Sequence, residues 1–125
     1  MTPSTEDYLE TIFRLDKGQG VRVTDVANTL SVSKPSVNRA LKSLSQMGYI
    51  VQEPYHNIML TDIGRKVGRE LNKKYSILRG FLIHVLEVDE VTAEREADYM
   101  AHGMSSDTIE RIGVLIQKYS IHYLK

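Results

Sequence analysis

The stretch EADYMAHGM at residues 96–104 places a carboxylate and an imidazole four residues apart. In a helix, Asp98 and His102 would lie on one face, a single turn apart. Asp7 and Glu10 form a second carboxylate pair with the helical i, i+3 spacing. Carboxylate ligands with one imidazole suit Mn²⁺ or Fe²⁺. The spacing also fits a solvated polar surface on which Asp7 only stabilises a helix N-terminus, so both interpretations stay open.

A second group of residues, between positions 33 and 47, has the chemistry of DNA binding. The segment SKPSVNRALKSLSQM predicts a helix capped by Ser33, with Val37, Leu41 and Leu44 on its buried side. Hydroxyl, amide and cationic side chains on the outer side suit base edges and phosphates. The candidate DNA-binding residues are Ser33, Lys34, Pro35, Ser36, Asn38, Arg39 and Lys42.

The same segment lacks the acidic residues that would repel DNA. No Asp or Glu occurs between Asp25 and Glu53. We expect Arg39 to read a base, and Lys34 and Lys42 to contact phosphates. Each of these side chains alone also fits an ordinary solvated helix face. The prediction of DNA binding therefore rests on the whole pattern.

The elements that must position these residues are mostly helical. Hydrophobic periodicity and capping residues predict the following elements in chain order. The first part has a helix from Ser4 ended by Gly18, a short strand at Val21 and Val23, a short helix capped by Thr24, the helix after Ser33, and a hairpin of 49–52 and 58–60. The second part has a long helix over 62–87, a helix over 91–103, and a last helix capped by Ser105 or Ser106. Two short helices, a tight turn and a hairpin are typical of a winged helix-turn-helix.

This order predicts a mostly α fold with two domains. Residues 1–72 are the expected winged helix-turn-helix DNA-binding domain, with a recognition helix at about 33–47 and a wing at about 49–60. Residues 73–125 are the expected α-helical dimerisation and metal-sensing domain. Helix-turn-helix proteins usually bind double-stranded DNA as dimers, and the last helices carry enough apolar residues for both a core and a homodimer contact.

Composition narrows the class of protein. The chain has 125 residues, 42% hydrophobic and 26% charged, and it contains no Cys. A disulfide, a thiolate zinc site and a cysteine nucleophile are therefore excluded. No apolar run approaches the ~20 residues that span a membrane, and MTPSTEDYLE lacks the features of a signal peptide. We expect a cytoplasmic protein with no membrane partner.

Charge and motifs favour a binding protein over an enzyme. Residues 1–74 hold 11 Lys and Arg against 8 Asp and Glu, and residues 75–125 hold 5 against 8. The positive half suits a polyanion. The chain shows no Gly-rich phosphate loop and no Ser/His/Asp grouping, so we expect no enzymatic activity. A protein-interaction domain is a further alternative, which steep salt dependence of binding to duplex DNA would exclude.

Several segments together resemble the diphtheria-toxin-repressor family of metal-dependent transcriptional regulators. They are STEDYLETIFRL, VRVTDVANTLSVSKPSVNRALKSLSQMGYI, MLTDIGRKVGREL, VDE and MSSDTIERIG, in collinear order. The motif EDYLE and the chain length look more like the manganese-responsive branch. The resemblance implies a homodimer whose N-terminal lobe binds an operator when metal joins that lobe to the dimerisation helices.

The resemblance also implies a ligand set. Family ligand positions fall on Asp7, Glu10, Asp98 and His102, and on two residues that depart from the pattern, Tyr75 and Ala101. Alanine offers no side-chain ligand, and a phenol that ionises near pH ~10 is a poor one. We therefore expect at most one Mn²⁺ or Fe²⁺ per chain.

The expected function is a metal-dependent, manganese- or iron-responsive DNA-binding transcriptional regulator. It would act as a homodimer and repress metal-uptake genes. The alternative is a winged-helix regulator of the same fold that has lost metal control.

Overall fold

The computed structural model describes the backbone of residues 3–123 and the side chains of residues 3–118. The chain divides into two compact units, Met1–Asn72 and Lys73–Lys125. The elements are α1 (Thr5–Leu15), α2 (Val23–Leu30), α3 (Lys34–Gln46), β1 (Ile50–Val51), β2 (Met59–Leu60), α4 (Asp62–Gly80), a π-helical segment (Phe81–Val85), α5 (Glu90–Gly103) and α6 (Ser106–Tyr123). This order confirms the mostly α fold class. No helix in the described part of the chain is long and apolar enough to cross a bilayer.

Helix α1 begins where its first residues predict. The Ser4 hydroxyl accepts a hydrogen bond from the Asp7 N–H at 3.2 Å, and Asp7 Oδ2 accepts from the Ser4 N–H at 3.0 Å. This reciprocal pair is a capping box, which satisfies two of the N–H groups that a helix start leaves without partners. Leu9 and Ile12 then turn into the core of the first unit.

Helices α2 and α3 form the helix-turn-helix. Ser31 closes α2 in the left-handed conformation with φ 55°, and Ser33 caps α3 by accepting from the Ser36 N–H at 3.2 Å, as predicted. The prediction that Thr24 caps α2 is wrong. The helix begins at Val23 after Arg22, whose carbonyl already accepts from the Asp25 N–H.

The wing is an antiparallel hairpin, and one isolated β-bridge from the segment before α2 extends its pairing. Strands β1 and β2 pair with Ile50 opposite Leu60. Val21 adds an isolated bridge to Ile58 through reciprocal backbone hydrogen bonds of 2.9 and 2.8 Å. The predicted strand therefore reduces to Val21, because Val23 has entered α2.

Two glycines let α4 approach its neighbours in the first unit. A Cβ on Gly64 would overlap the Tyr49 carbonyl, and a Cβ on Gly68 would lie 2.7 Å from Phe13 Cβ. The helix propensity lost at these glycines, about 1 kcal/mol each, is thus offset by close packing.

A partly buried ion pair also ties α4 to the loop after α1. The side chain of Asp16 is 2% exposed, and Arg65 donates to it at 3.1 Å. Burial alone would raise the pKa of Asp16. Hydrogen bonds from the Gly18 and Gly20 N–H groups, together with Arg65, outweigh burial and lower that pKa below its ordinary value.

The second unit has its own core, formed by Leu78, Leu82, Ala93, Ala97 and Ile109. The long helix predicted over 62–87 is α-helical only to Gly80 and continues as the π-helical segment. Helix α5 starts at Glu90, one residue before the prediction, because the Asp89 side chain accepts from the Thr92 N–H at 3.0 Å. That bond also holds the pKa of Asp89 below its ordinary value.

Candidate DNA interface and metal ligands

The outer face of α3 presents the residues that the sequence nominates for DNA. Val37, Leu41 and Leu44 are buried at 0–3% exposure, so the helix turns the rest of its surface outward. Ser36 is half-buried, and the other nominated residues are exposed: Ser33, Lys34, Pro35, Asn38, Arg39 and Lys42.

A chain of side-chain hydrogen bonds runs along the start of α3. Arg39 Nη2 donates to Ser36 Oγ at 3.1 Å, and Ser36 Oγ lies 3.0 Å from Ser33 Oγ. The sequence nominates these three residues separately, and their connection is a finding of the structure. The local sequence signal for this hydrogen-bonded chain is the spacing of Ser33, Ser36 and Arg39, which follow one another at intervals of three residues.

Helix α3 itself contributes no acidic side chain to this surface, because it contains no Asp or Glu. The acidic residue before it in the chain, Asp25, accepts from both Nε and Nη2 of Arg22, at 3.1 and 3.3 Å. Positive and neutral donors therefore dominate this face, as phosphate binding requires.

The tip of the wing displays an aromatic side chain. Tyr55 is fully exposed and has a φ of 66°, the left-handed region that few non-Gly residues adopt. Next to it, a ring nitrogen of His56 lies 2.9 Å from the Pro54 carbonyl, and Asn57 Nδ2 donates to the Gln19 carbonyl at 3.1 Å. These bonds fix the shape of the tip on both sides of Tyr55.

In the first unit, the candidate ligands Asp7 and Glu10 lie on α1. Asp7 is half-buried and belongs to the capping box. Glu10 is 5% exposed, and its Oε2 accepts from Arg14 Nε at 3.2 Å and from Asn72 Nδ2 at 2.9 Å. The sequence predicts Glu10 as a ligand but gives no sign of Asn72, because the two lie far apart in the chain.

In the second unit, Asp98 and His102 come together on α5. Nε2 of His102 lies 3.4 Å from Oδ1 of Asp98, and both side chains are partly exposed. Tyr75 is buried at 7% exposure, and its ring meets the imidazole edge to face, with centroids 6.3 Å apart at 69°. Ala101 packs against the core of this unit and offers no side-chain ligand atom. The pair of oxygen and nitrogen donors has the chemistry of a Mn²⁺ or Fe²⁺ site.

Family models match both parts of the chain. Residues 1–58 match the iron dependent repressor, N-terminal DNA binding domain. Residues 61–121 match the iron dependent repressor, metal binding and dimerisation domain. Helices α1 to α3 and strand β1 lie within the first of these segments, and α5 lies within the second.

Individual relatives agree with the models. The HTH-type transcriptional regulator MntR of Shouchella clausii (strain KSM-K16) is 36% identical over 119 residues, which cover 94% of this chain and 82% of the relative. Among solved structures, the metal-dependent transcriptional regulator MtsR matches with a TM-score of 0.83 at 29% identity. The manganese regulator SloR matches with a TM-score of 0.82 at 26% identity.

Both solved structures cover 94% of this chain, and the chain spans 55% of their length. The relatives are named as transcriptional regulators. The resemblance of the sequence to metal-dependent regulators is thereby confirmed. The chain belongs to the iron-dependent repressor family of metal-dependent helix-turn-helix transcriptional regulators.

Proposed function

We propose that this chain represses metal-uptake genes by binding an operator in double-stranded DNA as a homodimer when it holds Mn²⁺ or Fe²⁺. The observation that carries the proposal is the outer face of α3, which is exposed, free of acids and built from hydroxyl, amide and cationic donors. Arg39 reads a base, and Lys34 and Lys42 contact phosphates. Ser33, Pro35, Ser36 and Asn38 complete the contact surface.

The metal ligands in this proposal are Asp7, Glu10, Asp98 and His102. Their carboxylates and imidazole are donors that Mn²⁺ and Fe²⁺ accept, and the 3.4 Å separation of Asp98 and His102 supports two donors to one ion. The bound ion supplies positive charge that holds these ligands together. Metal and DNA affinity are then linked reciprocally, because each favours the same state. We propose one ion per chain.

The homodimer and the compartment are parts of the same proposal. The second unit matches a dimerisation domain, and α6 exposes Val114 and Leu115, each 47% accessible. A second copy would cover such residues. A regulator must reach the DNA that it binds, and we propose the cytoplasm as its compartment.

A regulator of the same fold without metal control is the second candidate, and two observations favour it. The Glu10 carboxylate is already engaged by Arg14 and Asn72. Tyr75, where the family resemblance implies a His ligand, is buried and packs its ring on His102. Neither feature would be needed for metal binding.

Calorimetric titration of the EDTA-stripped chain with Mn²⁺ tests the metal proposal. An Asp98→Ala, His102→Ala double variant is titrated beside the parent, with Glu94→Ala as a control because Glu94 is an exposed acid on the same helix. Saturable binding near one ion per chain, kept by the control and lost by the double variant, supports the proposal. Absence of binding by the parent selects the second candidate.

Operator affinity with and without chelator completes the test. Duplexes are selected from a randomised pool by the Mn²⁺-loaded parent, and their affinity is measured by mobility shift. Loss of affinity in EDTA and its return with Mn²⁺ support metal control. Affinity that is indifferent to EDTA favours the second candidate, and absence of salt-dependent DNA binding overturns both.

A further inference from the structure

We propose that Ser33, Ser36 and Arg39 act as one hydrogen-bonded unit that reads a guanine in the major groove, with Ser36 as the positioning residue for Arg39. This inference rests on the proposed DNA-binding function and deepens it. It names the base and assigns a role to a serine that touches the reading side chain.

The hydrogens of the unit can be accounted for. The Ser33 and Ser36 hydroxyl oxygens lie 3.0 Å apart, and either can donate to the other. One hydroxyl hydrogen is used in this bond, whichever direction it takes. Ser33 Oγ also accepts from the Ser36 N–H, and Ser36 Oγ accepts from Arg39 Nη2. The second hydroxyl hydrogen therefore stays available to a ligand.

Arg39 adds further donors to the same surface. A guanidinium has five N–H donors and no acceptor, and Arg39 spends one of them on Ser36. Its side chain is exposed, and no carboxylate pairs with it among residues 3–118. The unit thus presents N–H and O–H donors to whatever lies against the start of α3.

The major-groove edges of the bases differ in how they meet such donors. Guanine offers two acceptors there, N7 and O6, in the spacing that the Arg fork matches. Adenine presents the N7 acceptor beside an amino donor, cytosine presents an amino donor, and thymine presents a methyl group beside a single acceptor. A cluster of donors is therefore matched better by guanine, which offers two acceptors, than by any other base.

Ser36 contributes by limiting the freedom of the Arg39 side chain. A free Arg side chain loses much rotamer entropy when it is fixed on a base. The bond from Arg39 to Ser36, 3.1 Å long, already restricts the guanidinium in the absence of DNA. Ser36 itself is held by Ser33 and by its place in the first turn of α3.

The test is base preference measured on duplexes selected from a randomised pool by the full chain with Mn²⁺ present. We expect a guanine position in the selected motif, and replacement of that guanine by adenine to weaken binding by about 5- to 150-fold. Arg39→Ala removes the guanidinium, so it should lose this discrimination while it keeps the affinity for random DNA that Lys34 and Lys42 supply.

Serine variants separate positioning from mere stability. Ser36→Ala should reduce the discrimination by about fivefold, the equivalent of one ordinary hydrogen bond, and Ser36→Thr should restore it because the hydroxyl is kept. Ser45→Ala, an exposed serine near the other end of α3, is the matched control and should behave as the parent. Replacing the guanine with 7-deazaguanine removes N7, and this change should weaken binding by the parent but not by Arg39→Ala.

The outcomes distinguish this inference from the function on which it rests. The guanine-reading unit is overturned, while DNA binding stands, by either of two outcomes. One is that Arg39 variants change the preference at no guanine of the selected motif, and the other is that Ser36→Ala discriminates guanine from adenine as well as the parent does. Failure of the parent to bind any duplex in a salt-dependent way overturns the proposed function itself. Thermal unfolding of each variant confirms that it is folded before its preference is read.

Discussion

Asn72 Nδ2 donates a hydrogen bond to Oε2 of Glu10 at 2.9 Å, and the acceptor is a carboxylate that is 5% exposed. Arg14 donates to the same oxygen at 3.2 Å. A candidate metal ligand is therefore also a structural acceptor inside the first unit. The two roles make different demands on the side chain, and one substitution separates them.

Glu10→Gln keeps an oxygen acceptor of the same shape but removes the negative charge. We expect the free energy of unfolding of the metal-free variant to lie within about 1 kcal/mol of the parent's, because the substituted side chain still accepts a hydrogen bond from Asn72 or Arg14. If Glu10 is a ligand, the rise in melting temperature that Mn²⁺ gives the parent should shrink in the variant. Differential scanning fluorimetry with and without Mn²⁺ measures both effects, and an undiminished rise would leave Glu10 a purely structural role.

Lys34 and Lys42 are predicted to act through phosphates and not through bases. Either Lys→Ala change should weaken binding to all duplexes alike and should lower the slope of log affinity against log salt by about 1. Lys118→Ala, an exposed lysine on α6, serves as the control and should leave the slope unchanged. A loss confined to one sequence would show base reading at the substituted position.

The lowered pKa of Asp16 predicts that part of the free energy of unfolding is lost in acid. Its pKa is lowered in the folded chain from a reference value of 3.8, so its contribution is complete above that pH and is lost as the pH falls through the folded pKa. Asp16→Asn should cost about 1–3 kcal/mol at neutral pH.

Urea unfolding at neutral and at acidic pH tests the Asp16 prediction. The difference in free energy of unfolding between the parent and Asp16→Asn should become smaller at acidic pH, because the Asp16 carboxylate of the parent becomes protonated. Asp107→Asn is the control, because Asp107 and its partner Arg111 are 72% and 79% exposed, and such pairs contribute little. A difference that is constant with pH would show that the charge of Asp16 is not what stabilises the fold.

Gly64 and Gly80 offer matched Gly→Ala substitutions on one helix with opposite expected signs. A Cβ at Gly64 would overlap the Tyr49 carbonyl, whereas at Gly80 the nearest atom, Ile116 Cδ1, is 4.0 Å away. Gly64→Ala should destabilise the chain by about 3 kcal/mol, and Gly80→Ala should stabilise it by up to about 1 kcal/mol. Chemical denaturation measures both, and equal effects would contradict the packing that the structure shows.

Local features of this fold were predictable from sequence because their causes lie within one helical turn. The capping box of Ser4 and Asp7 and the cap at Ser33 depend on spacings of three residues, and the buried face of α3 follows from periodicity. Residue types and spacing nominated the DNA-binding face and the candidate ligands, and the family resemblance added metal control and the departures at Tyr75 and Ala101.

Features that depend on distant residues were missed. Nothing near Glu10 points to Asn72, which follows it by 62 positions, or links Asp16 to Arg65, 49 positions on. The start of α2 at Val23 and the π-helical segment were also missed, because tertiary packing and not local propensity decides where those helices begin and change.

The π-helical segment has a consequence for how the length of this chain can vary. The Leu86 N–H bonds to the Phe81 carbonyl at 3.2 Å, five positions back, so this turn holds one residue more than an α-helical turn does. The extra residue is absorbed where it lies, and Leu78 and Leu82 still both face the core. An insertion or deletion of one residue here can interconvert a π and an α turn, which lets the chain change length without changing which residues of α4 and α5 are buried.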